Sequence, residues 1–114
     1  MDNLVREYID YLKIERGLSD NTLESYGRDL RQYLVYLKSN NIISISETTK
    51  TTIITYLFYL QKKGKASSTI SRNLASIRSF YQYLFNEQYI KKDPTLNLES
   101  PKMEKRLPKV LTVK

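Results

Sequence analysis

Apolar residues recur at the helical period in four segments of the chain, and this pattern restricts the fold more than any other feature of the sequence. The first segment runs from about residue 2 to Arg16, where Gly17 supplies a C-terminal stop. The second begins after Ser19 or Asp20, because either residue is a good N-cap, and it ends at the asparagine pair that starts with Asn40. The pattern predicts two consecutive amphipathic helices joined by a short connection.

The two remaining predicted helices differ in character. Residues 53–60 are apolar almost all round, which predicts a central helix buried on most sides. The fourth helix is long and amphipathic, with Ser67 as its expected N-cap and an end near Asn86. A basic tail that holds all three prolines follows, and proline cannot continue a helix. We therefore expect an all-α four-helix domain over residues 1–90 and an extended C-terminal linker over residues 91–114.

The net charge of +7 is unevenly distributed along the chain. Residues 1–61 hold seven basic and eight acidic side chains, whereas residues 62–114 hold twelve basic and four acidic ones. Residues 48–86 carry six basic side chains and no acidic one. A segment that carries only positive charge favours a nucleic-acid partner, with an anionic membrane surface as the lesser alternative.

Several classes of function are poorly supported by the composition. The chain has no cysteine and no histidine, its carboxylates are spread along helices, and its three glycines are isolated, so we expect no metal, nucleotide or other cofactor. The N-terminus does not resemble a signal peptide, and no segment has the ~20 apolar residues of a membrane span. We expect a cytoplasmic protein with no membrane partner and no small-molecule substrate.

The ten tyrosines invite the hypothesis of a tyrosine nucleophile. Five of them occupy apolar positions of the predicted helices, where packing with the hydroxyl at the edge is the usual role: Tyr8, Tyr26, Tyr33, Tyr56 and Tyr81. A nucleophilic tyrosine also needs groups that activate it and stabilise charge on its target. No basic cluster is fixed around any one tyrosine, so we expect no catalysis by this chain.

The fourth helix carries a polar stripe roughly opposite its apolar face, formed by Ser68, Arg72, Ser76 and Ser79. Short hydroxyl side chains beside an arginine allow a helix to approach phosphates and base edges closely. The backbone amides of Ser68 and Thr69, at the start of this helix, are suited to a phosphate oxygen. The stripe predicts DNA contact, and the alternative is an ordinary solvated face.

The second helix has a comparable stripe, formed by Asn21, Ser25, Arg28 and Gln32. All four side chains can donate hydrogen bonds, and none is an acid. The neighbouring residues Glu24, Asp29 and Arg31 make the surrounding surface mixed in charge. Most polar helix faces are simply hydrated, so this stripe taken alone is ambiguous.

Several short motifs follow one another along the whole chain: Tyr8 to Leu12, Gly17-Leu18-Ser19, Asn21-Thr22-Leu23-xx-Tyr26-xx-Asp29-Leu30, Ser68-Thr69-Ile70-xx-Asn73-Leu74-xx-Ile77-Arg78-xx-Phe80-Tyr81-xx-Leu84, Asp93-Pro94 and Leu107-Pro108-Lys109. Their order and spacing resemble the core-binding domain of tyrosine recombinases, and the Xer-type and phage or transposon integrase branches are the most similar.

The resemblance implies a SAM-like bundle of two crossed helical hairpins that forms half of a clamp around double-stranded DNA. In that family the second and fourth helices address the major groove, which agrees with the two stripes. The implied DNA-binding residues are Asn21, Thr22, Ser25 and Arg28 on the second helix, and Ser68, Thr69, Arg72, Asn73 and Ser76 on the fourth. Lys63 and Lys65 would bind phosphates. Leu4, Val5 and Tyr8 could partly form an interface with a neighbouring protomer, although core packing explains them better.

The same resemblance implies that strand-transfer chemistry belongs to a second domain, so that no tyrosine of this chain is the nucleophile. We expect a fragment that is not an enzyme by itself and whose full-length form joins other protomers in a tetrameric synapse. The alternative is a helical protein-interaction module that does not bind DNA, because fold does not determine function. A third interpretation, a peripheral membrane domain, lacks the exposed aromatic and leucine-rich face that it needs.

Overall fold

The computed structural model describes residues 2–96 and 98, which form four α-helices and contain no strand. They are α1 (Asp2–Tyr11), α2 (Asp20–Ser39), α3 (Lys50–Lys62) and α4 (Ser67–Asn86). The predicted all-α, four-helix architecture is therefore confirmed. Residues 97 and 99–114, which include most of the predicted linker, lie outside the described residues.

The connection between α1 and α2 follows from local signals in the sequence. After Tyr11 the chain continues into a π-helical turn, Leu12–Arg16, and ends at Gly17, whose φ of 60° is accessible to glycine at little cost. Ser19 is the N-cap of α2, where its hydroxyl accepts a hydrogen bond from the amide of Thr22. The predicted stop and start of these helices are correct, although the last turn of the first one is π-helical.

The start of α3 is fixed by two successive capping boxes. Ser44 and Glu47 cap a short 3₁₀ turn, Ile45–Glu47, and Thr49 and Thr52 exchange side-chain and backbone bonds at the start of α3. The side chain of Ile45 is buried under this turn. Two consecutive capped starts hold the segment between α2 and α3 against the domain.

The start of α4 differs from the prediction. The N-cap is Ala66, with extended φ and ψ of −67° and 153°, and Ser67 is already helical. Alanine has no side-chain acceptor, so the first turn of α4 has no side-chain cap. The sequence alone does not show which residue near Ser67 is the N-cap, because the first helical residue depends on the path of the chain after Gly64.

α4 is the central helix, since it packs against α1, α2 and α3, and α2 packs against both α1 and α4. Four tyrosines of the predicted set of five are fully buried, Tyr8, Tyr33, Tyr56 and Tyr81, and Tyr26 is half-buried. Their rings contact one another and Phe80 edge-on or tilted, as in the Tyr33–Tyr56 pair at 5.0 Å. Val5 and Tyr8 of α1 belong to this core, whereas Leu4 is half-buried.

The prediction that α3 is buried on most sides is wrong. Ile53, Tyr56, Leu57 and Leu60 are buried, but Phe58 and Tyr59 remain 49% and 40% exposed. α3 contacts α4 along one side and meets α2 through tyrosine rings, and its outer side faces solvent. The central position belongs to α4.

The chain after α4 packs onto the domain as far as the structure describes it. Ile90, Thr95 and Leu98 are buried, and the guanidinium of Arg78 donates a hydrogen bond to the carbonyl of Leu98. Tyr89 donates a hydrogen bond to a carboxylate oxygen of Glu7 on α1. Thr95 and Leu98 of the predicted linker are therefore packed against the domain, and most of that linker lies outside the described residues.

Candidate nucleic-acid interface

The polar stripe of α2 faces outward. Asn21, Arg28 and Gln32 are exposed, and Thr22 and Ser25 are half-buried. The hydroxyl of Thr22 accepts a hydrogen bond from Ser19 within the cap of the helix, so part of its bonding capacity is used locally. Arg28 and Gln32 lie one turn apart and provide the long donors of this stripe.

The predicted stripe of α4 is only partly exposed. Ser68 and Arg72 are exposed and Thr69 is half-buried, so all three side chains are accessible for a surface contact. Ser76 is fully buried and Asn73 is 2% exposed, so the prediction that these two side chains are available for contact is wrong. Contact with three other helices widens the buried face of α4 beyond the arc of its apolar residues.

Asn73 and Ser79 of α4 make local or interhelical hydrogen bonds, whereas the buried hydroxyl of Ser76 has no partner among the described residues. Asn73 Nδ2 donates to the carbonyl of Thr69 at 2.9 Å, one turn earlier, while its Oδ1 has no partner among the described residues. Ser79, half-buried, accepts a hydrogen bond from the hydroxyl of Tyr8 on α1. Asn73 and Ser79 therefore serve the packing of the domain.

An ion pair joins α2 to α4 at the middle of this surface. Arg72 Nε and Nη2 donate to the two carboxylate oxygens of Asp29, at 2.9 and 3.0 Å. The side chain of Asp29 is 2% exposed and that of Arg72 is 43% exposed, so the carboxylate is interior and the guanidinium is at the surface. The hydrogen bonds to Asp29 raise the pKa of the guanidinium further, and it stays charged. The pair fixes the stripe of α2 beside that of α4.

A surface groove of about 430 Å³ continues the interface toward the connection between α3 and α4. Gln32 of α2 lines it together with Lys63 and Lys65, and the rings of Tyr36 and Tyr59 form its apolar wall. Lys63 Nζ donates to the hydroxyl of Tyr59 at 3.2 Å and lies 5.1 Å from the ring centroid, a cation–π distance. Both lysines are exposed.

The start of α4 adds backbone donors to the same surface. The first amides of an α-helix have no intrahelical acceptor, and Ala66 supplies no side-chain cap. The amides of Ser67, Ser68 and Thr69 therefore remain available, next to Lys65. A helix N-terminus with this chemistry is favourable for phosphate oxygens.

The four fully buried tyrosines do not have the properties of a nucleophile. Burial raises the pKa of Tyr8 and that of Tyr81 to about 12, and it also raises the pKa of Tyr33 and Tyr56. A catalytic tyrosine needs a lowered pKa or an adjacent base. These side chains form the core, and the polar surface contains none of their hydroxyls.

Arg72, Lys63 and Lys65 are exposed, as their predicted role requires, but the sequence pattern does not reveal that Asp29 pairs with Arg72. On the helical wheel Asp29 lies between the polar stripe of α2 and its apolar face, next to Tyr33. An acid at such a boundary must be paired when it is buried, and this was the available signal. Gln32 also joins the groove of the two lysines, a contact that depends on tertiary structure.

The fold and this surface define a small helical domain with a cationic, hydroxyl-rich face across two packed helices. The family model for the phage integrase N-terminal SAM-like domain matches residues 5–88, and the chain belongs to that family. No helix among the described residues is long and apolar enough to cross a membrane.

Curated relatives are similar over nearly the whole chain. Tyrosine recombinase XerD of Halalkalibacterium halodurans is 45% identical over 114 residues, which cover 99% of this chain and 38% of the relative. A putative tyrosine recombinase of Caldanaerobacter subterraneus subsp. tengcongensis is 44% identical over 112 residues, with 98% and 38% covered. XerD of Oceanobacillus iheyensis is 42% identical over 113 residues, with the same coverage. The chain thus spans less than two-fifths of the length of these relatives.

Proposed function

We propose that this chain is the DNA-binding domain of a site-specific tyrosine recombinase and grips the double-stranded DNA of a recombination half-site through the major groove. The observation that carries the proposal is the Asp29–Arg72 pair, which holds the polar stripes of α2 and α4 side by side. Two neighbouring helix faces that donate hydrogen bonds match the acceptors of a groove and its phosphates. Family membership supports the same role.

The candidate DNA-binding residues can be grouped by whether their side chains suit phosphate oxygens or base edges. Lys63 and Lys65, with the free amides at the start of α4, suit phosphate oxygens. Arg28 and Arg72 suit base edges or phosphates, because a guanidinium can form two parallel hydrogen bonds. Ser68 and Ser25 are short, and they allow the helices to approach the duplex.

On this proposal the chain binds DNA and does not itself break strands. Tyr8, Tyr33, Tyr56 and Tyr81 are core residues with raised pKa values, and we assign strand transfer to other residues of the recombinase. The complete protein would act on the nucleoid in the bacterial cytoplasm, with other recombinase protomers on synapsed DNA, in integration, excision or chromosome-dimer resolution.

Titration of a fluorescently labelled mixed-sequence duplex, followed by anisotropy at two salt concentrations, tests the proposal. We expect a dissociation constant on the order of 10⁻⁴–10⁻⁶ M at physiological salt and weaker binding as salt rises, because phosphate contacts release counterions. No binding at low salt, or binding indifferent to salt, contradicts the proposal.

The second candidate function is a protein-interaction module, and the exposed apolar side chains favour it. Ile14 in the π-helical turn is 76% exposed and Phe58 on α3 is 49% exposed. Both lie outside the polar stripes of α2 and α4. Absence of duplex binding in the same titration would favour this alternative.

A further inference from the structure

Arg72 is the only long side chain on the exposed face of the first half of α4. The other exposed side chains between residues 67 and 75 end at Cβ or at a hydroxyl on it: Ser67, Ser68, Ser71 and Ala75. A helix face with short side chains can approach a surface closely, and only Arg72 would reach ahead of it.

The hydrogen bonds of Arg72 determine which of its donors remain. Nε and Nη2 face the carboxylate of Asp29, so the side edge of the planar guanidinium is occupied. A guanidinium has five N–H groups, and the three that remain are two on Nη1 and one on Nη2. One N–H of Nη1 and the remaining N–H of Nη2 form the end edge of the guanidinium. They are a pair of parallel donors directed away from Asp29.

The charge of Arg72 is largely compensated while the direction of its donors is kept. The buried carboxylate lies within hydrogen-bond distance of the guanidinium, so the pair attracts a distant phosphate less than a free arginine does. Recognition of a base edge depends instead on two donors at a fixed position. The pair also removes rotamer freedom before binding, which reduces the entropic cost of the contact.

We propose that Asp29 is a positioning residue that presents the end edge of Arg72 to N7 and O6 of one guanine in the major groove. Guanine is the base whose major-groove edge offers two adjacent acceptors. The inference rests on the proposed function and adds to it a specific base and the residue that orients its reader.

The experiment begins with the 114-residue chain and a pool of duplexes that contain a randomised 12-bp centre. Bound duplexes are sequenced after rounds of selection. We expect guanine to be enriched at one position with the wild-type chain and not with Arg72→Met, which keeps a long side chain but has no hydrogen-bond donor. Arg6→Met is the matched control, because Arg6 is an exposed arginine of α1 that belongs to neither polar stripe.

The second step replaces the enriched guanine with 7-deazaguanine, which lacks the N7 acceptor. The wild-type chain should lose about tenfold in affinity, within the range for loss of a bidentate base contact. Arg72→Met should be unaffected, and Asp29→Asn should lose less affinity than the wild-type chain when 7-deazaguanine is introduced. Because 7-deazaguanine changes the DNA and not the protein, the loss of affinity by the wild-type chain tests the guanine contact even if a variant folds poorly.

Outcomes that overturn the inference differ from those that overturn the proposed function. Salt-sensitive binding with no guanine preference, or an equal effect of 7-deazaguanine on wild type and Arg72→Met, contradicts the inference alone. No duplex binding by the wild-type chain contradicts both.

Discussion

The hydroxyls of Tyr33 and Tyr81 lie 2.7 Å apart in the core, and the bonds around them determine which one donates. Thr48 Oγ1 donates to the carbonyl of Ile45 at 2.7 Å, so it must accept the bond of 2.8 Å from Tyr81. Tyr81 has then used its proton, and Tyr33 is the donor to Tyr81. The result is a directed chain of hydrogen bonds from α2 through α4 to the 3₁₀ turn.

This direction predicts unequal costs for removing the two hydroxyls. Tyr81→Phe breaks two bonds and leaves the buried Tyr33 donor unpaired, which should lower the free energy of unfolding by about 2 to 3 kcal/mol. Tyr33→Phe removes only the terminal donor and should cost about 1 kcal/mol. Urea denaturation of both variants measures the difference, and a larger cost for Tyr33→Phe would contradict the assigned direction.

Tyr56 provides a contrasting case. Its hydroxyl is buried but has no hydrogen-bond partner among the described residues. Tyr56→Phe therefore loses no bond with the protein, and its free energy of unfolding should lie within about 0.5 kcal/mol of wild type or above it. A cost as large as that of Tyr81→Phe, in the same urea experiment, would mean that this hydroxyl is bonded after all.

Removal of Arg72 should destabilise the domain even though the guanidinium is half-exposed. Arg72→Ala leaves the interior carboxylate of Asp29 without its partner, at an expected cost of about 2 kcal/mol, less than for a fully buried pair because water can reach the site. Arg28→Ala, an exposed arginine on the neighbouring stripe, is the matched control and should change stability by under ~0.5 kcal/mol. Equal effects of the two changes on urea denaturation would show that the pair does not stabilise the fold.

The buried tyrosines predict loss of stability at alkaline pH. Burial raises the pKa of Tyr8 and Tyr81 from 10.0 to about 12, so the folded state holds these protons more tightly than the unfolded state. Their stabilising contribution is complete below pH 10 and is lost as the pH rises toward 12, by up to about 1.4 kcal/mol per pH unit for each tyrosine. Tyrosinate absorbance and circular dichroism should therefore change together. Ionisation of all ten tyrosines near pH 10 with the helices intact would contradict this.

Local signals predicted most of the fold. The apolar period located four helices, and Gly17 and Ser19 gave the end of the first and the start of the second, because both act through their own backbone or an adjacent amide. The position of Ala66 as the N-cap of α4 could not be predicted from the sequence, since it depends on the path of the chain between α3 and α4.

The candidate site was harder to predict than the fold because it depends on contacts between distant segments. Asp29 and Arg72 are 43 residues apart, and neither stripe alone indicates that they meet. The helical wheel of α4 alone predicts that Ser76 is exposed, but the packing of three helices against α4 buries it. A helical wheel shows which residues share a face of one helix, but it does not show how wide the buried face is after the helices pack together.

The central claim is that DNA contacts the face containing α2, α4 and the lysines between α3 and α4. The most direct test compares two double variants of equal charge, Lys63→Ala/Lys65→Ala and Lys91→Ala/Lys92→Ala, whose lysines are all exposed and line different grooves. The measurement is the slope of log affinity against log salt concentration for one labelled duplex. We expect that loss of Lys63 and Lys65 reduces the slope by about 2, at ~0.9 for each lost phosphate contact, while loss of Lys91 and Lys92 leaves it unchanged. Equal slopes for the two variants, or the larger reduction for Lys91 and Lys92, would contradict it.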